Sequence, residues 1–186
     1  MKAYQLTGPQ TLEQVTAPDP APMNGQVLLK IEHVSICGSD THLNFHPTLP
    51  EEQYPFAPGL PCHEIAGTIV ESKNPDHAVG QRAIILPTFT PAAGMTNGGL
   101  AEFIASEKVI PLPDYGDTAD WVMCQPAGTA IQASREWGTT DEKTFLVLGQ
   151  GAIGLSTTAV ASRMGARMVI GVDLDDYRLE KASQLG

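Results

Sequence analysis

Two short stretches gather side chains that could hold a metal. ICGSDTH (36–42) offers the Cys37 thiol, the Ser39 hydroxyl, the Asp40 carboxylate and the His42 imidazole, and PCHEIAG (61–67) adds Cys62, His63 and Glu64. Thiolate, imidazole and carboxylate are the groups that bind Zn²⁺. The separation of Cys37 from His63 is not that of a local finger, so such a site must be assembled from two loops. On residue type alone, a buried structural cysteine and a hydrogen-bonded core histidine account for the same pair.

A third stretch, GQGAIG (149–154), sets Gly149, Gly151 and Gly154 in the dinucleotide pattern G-x-G-x-x-G. It follows an apolar strand and opens a helix, and Asp173 lies about 20 residues further on, where an acidic residue belongs in such a unit. Gly149 permits the tight turn, and Gly151 lets the backbone approach a pyrophosphate at the helix N-terminus, where Ala152 and Ile153 stand. Gly154 lets helix and strand pack closely. Asp173, at the end of the second strand, is placed to accept hydrogen bonds from the adenosine ribose. It also repels a 2′-phosphate, so NAD is expected rather than NADP.

The elements that must position these groups fall into two textures. Up to about residue 113 the chain alternates short β-type runs with Pro/Gly-rich breakers. QVLLKIEHVSI (26–36), EIAGTIVES (64–72), QRAIIL and LAEFIAS read as strands. Many short strands of this kind predict a compact β-barrel-like domain. From Thr118 the pattern becomes helical, over 118–138, with Pro126 marking a kink or a fresh start. A βαβα rhythm follows: strand 144–148, helix about 152–164, strand 168–173 and a helix from about Asp176. Both strands are apolar on both faces, as in a parallel sheet covered by helices. The expected fold class is therefore mixed α/β in two domains, 1–138 and 139–186.

Composition narrows the partners. The chain of 186 residues carries a net charge of −10, which argues against nucleic acid and anionic membrane. No apolar run approaches the roughly 18 residues of a membrane span, and the start lacks the apolar core of a signal peptide. Three cysteines, Cys37, Cys62 and Cys124, make a poor disulfide framework. A reducing, cytoplasmic setting is expected, where thiols stay available to metals.

Taken together, CGSDTH, HEIAGTIV, VGQRA, GGLAEFIAS and the dinucleotide unit resemble the zinc-dependent medium-chain alcohol and polyol dehydrogenases. The resemblance runs over essentially the whole chain. It implies a GroES-like catalytic domain with a connecting helix over 1–138, followed by the start of a Rossmann domain over 139–186. It also implies that Cys37 and His63 bind a catalytic zinc, with Glu64 as a conditional ligand. Relatives usually supply a third fixed ligand where this chain reads CQPAG, so Gln125 takes that place, with Cys124 as its competitor. Ser39 matches the hydroxyl that receives the alcohol proton, His42 the group that passes it to solvent, and Asp40 the carboxylate that orients the zinc-bound imidazole. Cys62 replaces a usual glycine and is read as a packing thiol. His33, His46 and His77 receive no role. Many relatives hold a second, structural zinc with four cysteines, but the corresponding PTFTPAAGMTNGG contains none, so no structural zinc is expected.

The function implied is reversible oxidation of an alcohol, polyol or sugar hydroxyl to a carbonyl, with one zinc and NAD, on a small-molecule substrate, in a homo-oligomeric full-length enzyme. The resemblance places the end of this chain inside the Rossmann domain, so the chain alone is expected to be inactive. Two other readings stand beside it: a zinc-free quinone or enoyl reductase of the same superfamily, and a non-catalytic zinc-binding remnant.

Overall fold

The structure is a computed structural model that describes residues 1–41, 50–90, 94–95 and 98–186. The chain divides into two compact units, Met1–Val122 and Met123–Gly186.

The first unit is built of strands: β1 (Lys2–Gly8), β2 (Thr11–Thr16), β3 (Val27–Ser35), β4 (Glu64–Ser72), β5 (Arg82–Ile85), β6 (Phe89–Thr90), β7 (Gly94–Met95), β8 (Phe103–Ser106) and β9 (Val109–Pro111). β1 and β2 form an antiparallel hairpin, β6 pairs with β7, and a five-stranded antiparallel sheet runs β8-β3-β4-β5-β9. An isolated bridge between Ala3 and Ala101 brings the hairpin onto the segment before β8. The four strand runs named from the sequence are thus all strands. Among the described residues all four belong to the five-stranded antiparallel sheet, to which the hairpins are added.

The alternation of β3 explains the core. Val27 and Leu29 point inward and meet Ile65, Ile69, Ala83, Ile85 and Ile104 in one apolar cluster. Register then does the positioning. Ser35 pairs with Glu64 and Val34 with Ile65, so the loop leaving β3 and the loop entering β4 meet at one end of the sheet. Cys37 lies on the first loop and His63 on the second.

At the C-terminal side of this unit, α1 (Thr118–Trp121) is capped by Asp117, whose side chain accepts the Ala119 N–H at 2.9 Å. Thr118 donates to Glu32 Oε2 at 3.0 Å and stands 2.9 Å from His33 Nδ1, which ties α1 to β3. His33, to which no role is assigned above, therefore has a structural contact.

The second unit contains α2 (Cys124–Ser134), β10 (Thr144–Leu148), α3 (Ala152–Arg163), β11 (Met168–Val172) and α4 (Asp176–Leu185). The helical stretch expected over 118–138 is two helices, and the break precedes Pro126. That proline sits in the first turn of α2, where a missing N–H costs nothing because no intrahelical partner exists there. α2 packs on α3, and both lie in the second compact unit. β10 and β11 run parallel with Leu146 opposite Ile170 and Leu148 opposite Val172. α3 packs on both strands and α4 on β11. The opposite face is exposed: Leu146, Leu148, Met168, Ile170 and Val172 all face solvent. The expectation of a sheet covered on both faces thus holds on one face within this chain.

Candidate metal centre and dinucleotide loop

The loop after β3 turns into a short helical turn at Gly38. Asp40 reaches back from that turn, and its Oδ2 accepts the backbone N–H of Cys37 at 2.9 Å, as the third residue of a capping box does. Its other oxygen, Oδ1, accepts the backbone N–H of Cys62 at 3.1 Å. One buried carboxylate thus joins the two loops that the sequence keeps apart. The second loop is held further by Gly99, whose N–H donates to the Cys62 carbonyl at 2.7 Å. This gives the GGLAEF stretch a physical part in the site.

Cys37, His63 and Glu64 each bring a ligand atom, and these atoms all lie within 4.8 Å of one another. Glu64 is 1% exposed, Cys37 and His63 partly so. Glu64 Oε2 and His63 Nδ1 are buried and have no hydrogen-bond partner among the described residues. Nδ1 faces Asp40 Oδ1 at 3.7 Å, longer than a hydrogen bond. An unpartnered carboxylate oxygen in such a place costs stability unless a cation meets it. The residues present therefore fit a bound metal: soft thiolate, imidazole and a buried acid, one of whose oxygens has no partner among the described residues.

Ser39 is half-buried in the helical turn between Cys37 and Asp40. His42 and His46 lie outside the described residues. Gln125 and Cys124 lie in the first turn of α2, in the second unit, and both are half-buried. Burial pushes the Cys124 thiol up, which disfavours the thiolate a metal requires. Cys62 is fully buried, and its thiol is pushed up to about 12, first by that burial and then by the neighbouring Asp40 carboxylate.

In the second unit, Gly149 turns from β10 with a φ of +85°, in the left-handed region that favours glycine. A Cβ at Gly154 would stand 1.8 Å from the Gly149 carbonyl oxygen, so only glycine lets α3 pack this close to the turn. Gly151 caps α3 without a side-chain hydrogen bond, which leaves the helix N-terminus at Ala152 and Ile153 open to an anion. Asp173 follows β11. Its Oδ2 accepts the Gln150 N–H at 2.5 Å and its Oδ1 the Asp175 N–H at 3.0 Å. The first of these bonds does most to hold the Asp173 carboxyl below the usual carboxylate range.

An open cleft of about 480 Å³ is lined by Gly149, Val172, Asp173, Leu174, Asp175 and Arg178. Arg178, with Nη1 3.8 Å from Asp173 Oδ2, was missed by the sequence reading. Its position in the first turns of α4, after the acidic residue, is the only sequence signal for it. Gln150 was missed too: its buried amide donates to the Val147 carbonyl at 3.1 Å and accepts from Thr158 at 3.0 Å, bracing the loop from below.

Residues 23–114 match the family described as the alcohol dehydrogenase GroES-like domain. This stretch is thus similar to the GroES-like domain of the alcohol dehydrogenases. A zinc-type alcohol dehydrogenase-like protein of Escherichia coli K12 is 30% identical, over 97% of this chain and 59% of its own length. A structure from Sinorhizobium meliloti 1021, described as a zinc-binding dehydrogenase bound to NADP, has a TM-score of 0.84 at 25% identity, covering 100% of this chain and 59% of that one. A short chain alcohol dehydrogenase from Escherichia coli CFT073, solved with NADH, has a TM-score of 0.85 at 25% identity, covering 100% of this chain and 60% of that one. The chain thus spans less than two thirds of the length of the relatives it matches. Its mixed α/β architecture is that of a GroES-like domain followed by part of a Rossmann domain. Among the described residues no helix is long and apolar enough to cross a membrane.

Proposed function

We propose that this chain supplies the zinc-binding and pyrophosphate-binding parts of an oxidoreductase that oxidises an alcohol, polyol or sugar hydroxyl to a carbonyl with NAD. The observation that carries the reading is the convergence of Cys37, His63 and Glu64 around a buried, unpartnered carboxylate oxygen. A zinc-free reductase would gain nothing from that costly arrangement.

When bound, zinc supplies Lewis-acid polarisation of the substrate oxygen and the nicotinamide accepts the hydride. Cys37 and Glu64 supply negative charge to the metal, and His63 a neutral donor. Asp40 faces His63 Nδ1 and so keeps the ring turned, leaving Nε2 for the cation. Gln125 completes the ligand set in this reading. Ser39, adjacent to the ligand turn, receives the alcohol proton, and His42 carries it onward to solvent. The N-terminus of α3 takes the pyrophosphate at Gly151, Ala152 and Ile153. Asp173 accepts from the adenosine ribose, each carboxylate oxygen keeping a lone pair beyond its backbone bond. One zinc is proposed, because the 87–99 stretch has no cysteine for a structural site. The proposed substrate is a small molecule, met in the cytoplasm by a homo-oligomeric enzyme. The net charge of −10 disfavours polyanionic partners.

Metal analysis of the purified chain tests the centre. About one zinc per chain is expected, as a single ligand set requires, and Cys37→Ala or His63→Ala should abolish it. Full zinc in both variants would overturn the ligand assignment. For the cofactor, ADP-ribose should bind more tightly than its 2′-phosphorylated form, and Asp173→Ser should narrow that preference. Equal binding of the two by the unaltered chain would overturn the choice of NAD.

A further inference from the structure

The loop that carries His63 leans on a strap formed by Gly98, Gly99 and Leu100. Gly59 holds one end of that loop: its N–H donates to the Tyr4 carbonyl at 2.8 Å, and its own carbonyl accepts the Leu100 N–H at 3.0 Å. The Tyr4 N–H in turn donates to the Leu100 carbonyl at 2.7 Å, so strap, loop and β1 close a ring of three backbone bonds. At the other end the Gly99 N–H meets the Cys62 carbonyl at 2.7 Å, one residue before His63. No side chain takes part in any of these bonds.

Space, not backbone conformation, demands the two glycines, since neither has the positive φ that favours glycine. A Cβ at Gly98 would stand 2.3 Å from the Gly59 carbonyl oxygen and 2.4 Å from that of Pro61. Both are backbone atoms, and relief to ordinary contact takes about 1 Å. The ring of bonds fixes the Gly59 end, so the displacement falls on Pro61, two residues before His63. Metal–ligand distances hold to about 0.2 Å, so a shift of that size matters. A Cβ at Gly99 would stand 2.8 Å from both Val34 Cγ2 and Ile65 Cγ1. These stiff, β-branched side chains oppose each other on β3 and β4, one rung in from the Ser35–Glu64 pair that brings the two ligand loops together.

We infer that Gly98 and Gly99 are positioning residues of the metal centre: the strap, free of side chains at these two positions, sets how closely the His63 loop and the ends of β3 and β4 approach, and with it the spacing of Cys37, His63 and Glu64. The inference rests on the zinc reading above. By reciprocity, a strap that holds the metal site is itself held by the metal.

Hydrogen exchange of the unaltered chain tests the coupling without any substitution. Saturating zinc should slow exchange at the Gly99 and Leu100 amides about tenfold or more, the factor typical of groups that support metal ligands. The Leu112 amide, which bonds the Arg82 carbonyl at 2.8 Å towards the other end of the sheet, should slow less. Substitution tests the fit. Gly98→Ala should keep the sheet, read by far-ultraviolet circular dichroism. It should nonetheless bind zinc about tenfold or more weaker by competition with a chromophoric chelator, and shift the visible bands of the Co²⁺-loaded protein. Gly99→Ala should do the same. Adding Val34→Ala to Gly99→Ala clears the β3 side, and should return affinity and spectrum towards those of Val34→Ala alone. Should a glycine variant fail to fold, the exchange comparison decides. Equal slowing at all three amides, or glycine variants with unaltered zinc affinity and Co²⁺ spectrum, would overturn the inference while leaving the zinc centre standing. Failure of the unaltered chain to bind zinc or Co²⁺ would overturn the zinc reading itself, and this inference with it.

Discussion

Asp40 Oδ1 faces His63 Nδ1 across 3.7 Å, and Asp40 is held there by backbone N–H groups from both loops of the centre. A neutral amide cannot reproduce this. In Asp40→Asn one side-chain oxygen becomes an NH₂ that must oppose an N–H donor, and the charge facing the imidazole disappears. Zinc affinity should fall by about 10- to 100-fold while the sheet remains folded. Chelator competition reads the affinity and far-ultraviolet circular dichroism the fold. Unchanged affinity would mean that His63 is oriented by something other than Asp40.

Glu64 has the opposite balance with and without metal. Its buried Oε2 has no partner among the described residues, so the carboxylate weakens the metal-free protein and strengthens the loaded one. Glu64→Gln should raise the melting temperature of the metal-free chain, by an amount equivalent to about 1–3 kcal/mol, and shrink the further rise that zinc produces. Calorimetry with and without excess zinc checks both halves. A variant that melts lower without metal would show that Glu64 has a stabilising partner of another kind.

The dinucleotide loop should loosen in acid. Asp173 has its pKa lowered chiefly by the Gln150 N–H and then by the Asp175 N–H. A folded-state value below the unfolded one means that its contribution is complete above the ordinary carboxylate value of about 4. That contribution is then lost as the pH falls through the depressed value. Hydrogen exchange at the Gln150 and Asp175 amides, corrected for intrinsic rates, should lose protection over that range. In Asp173→Asn the protection should be lower and independent of pH. Acid-independent protection in the unaltered chain would remove Asp173 as the anchor of the loop.

Local signals were legible in the sequence wherever a short-range rule applies. The spacing of Gly149, Gly151 and Gly154 encodes a turn against a helix, and the 144–148 strand follows from an unbroken apolar run. The types of Cys37, His63 and Glu64 could be read, but their meeting was implied only by the family resemblance and not by their spacing. It depends on the pairing of Ser35 with Glu64 and on Asp40 bonding a residue in a distant loop, and neither leaves a periodic trace. Pro126 announced a helix boundary without saying on which side the break falls. The left-handed backbone of Cys62 is likewise set by tertiary contacts and leaves no mark on the sequence.

The exposed face of the β10–β11 pair should govern how the 186-residue chain behaves in solution. Leu148 is 75% exposed, Leu146 61%, Met168 52%, Val172 45% and Ile170 42%. The register places Leu146 beside Ile170 and Leu148 beside Val172, so these side chains form one continuous apolar patch rather than scattered contacts. Patches of this kind seek cover, at roughly 25 cal/mol for each Å² of apolar surface removed from water. In a solution of this chain alone, the surface available to cover them is another copy. Sedimentation velocity should therefore show concentration-dependent self-association, and the dye ANS should bind and fluoresce. Replacing Leu148 and Ile170 together by Lys puts two like charges on the patch without touching Val147, the residue of β10 that is buried beneath the helices. That double variant should sediment as a monomer and lose most of the ANS signal. Its zinc content should not change, because none of Cys37, His63, Glu64 and Gln125 is replaced. A monodisperse, ANS-silent unaltered chain would show that the patch is covered within a single copy.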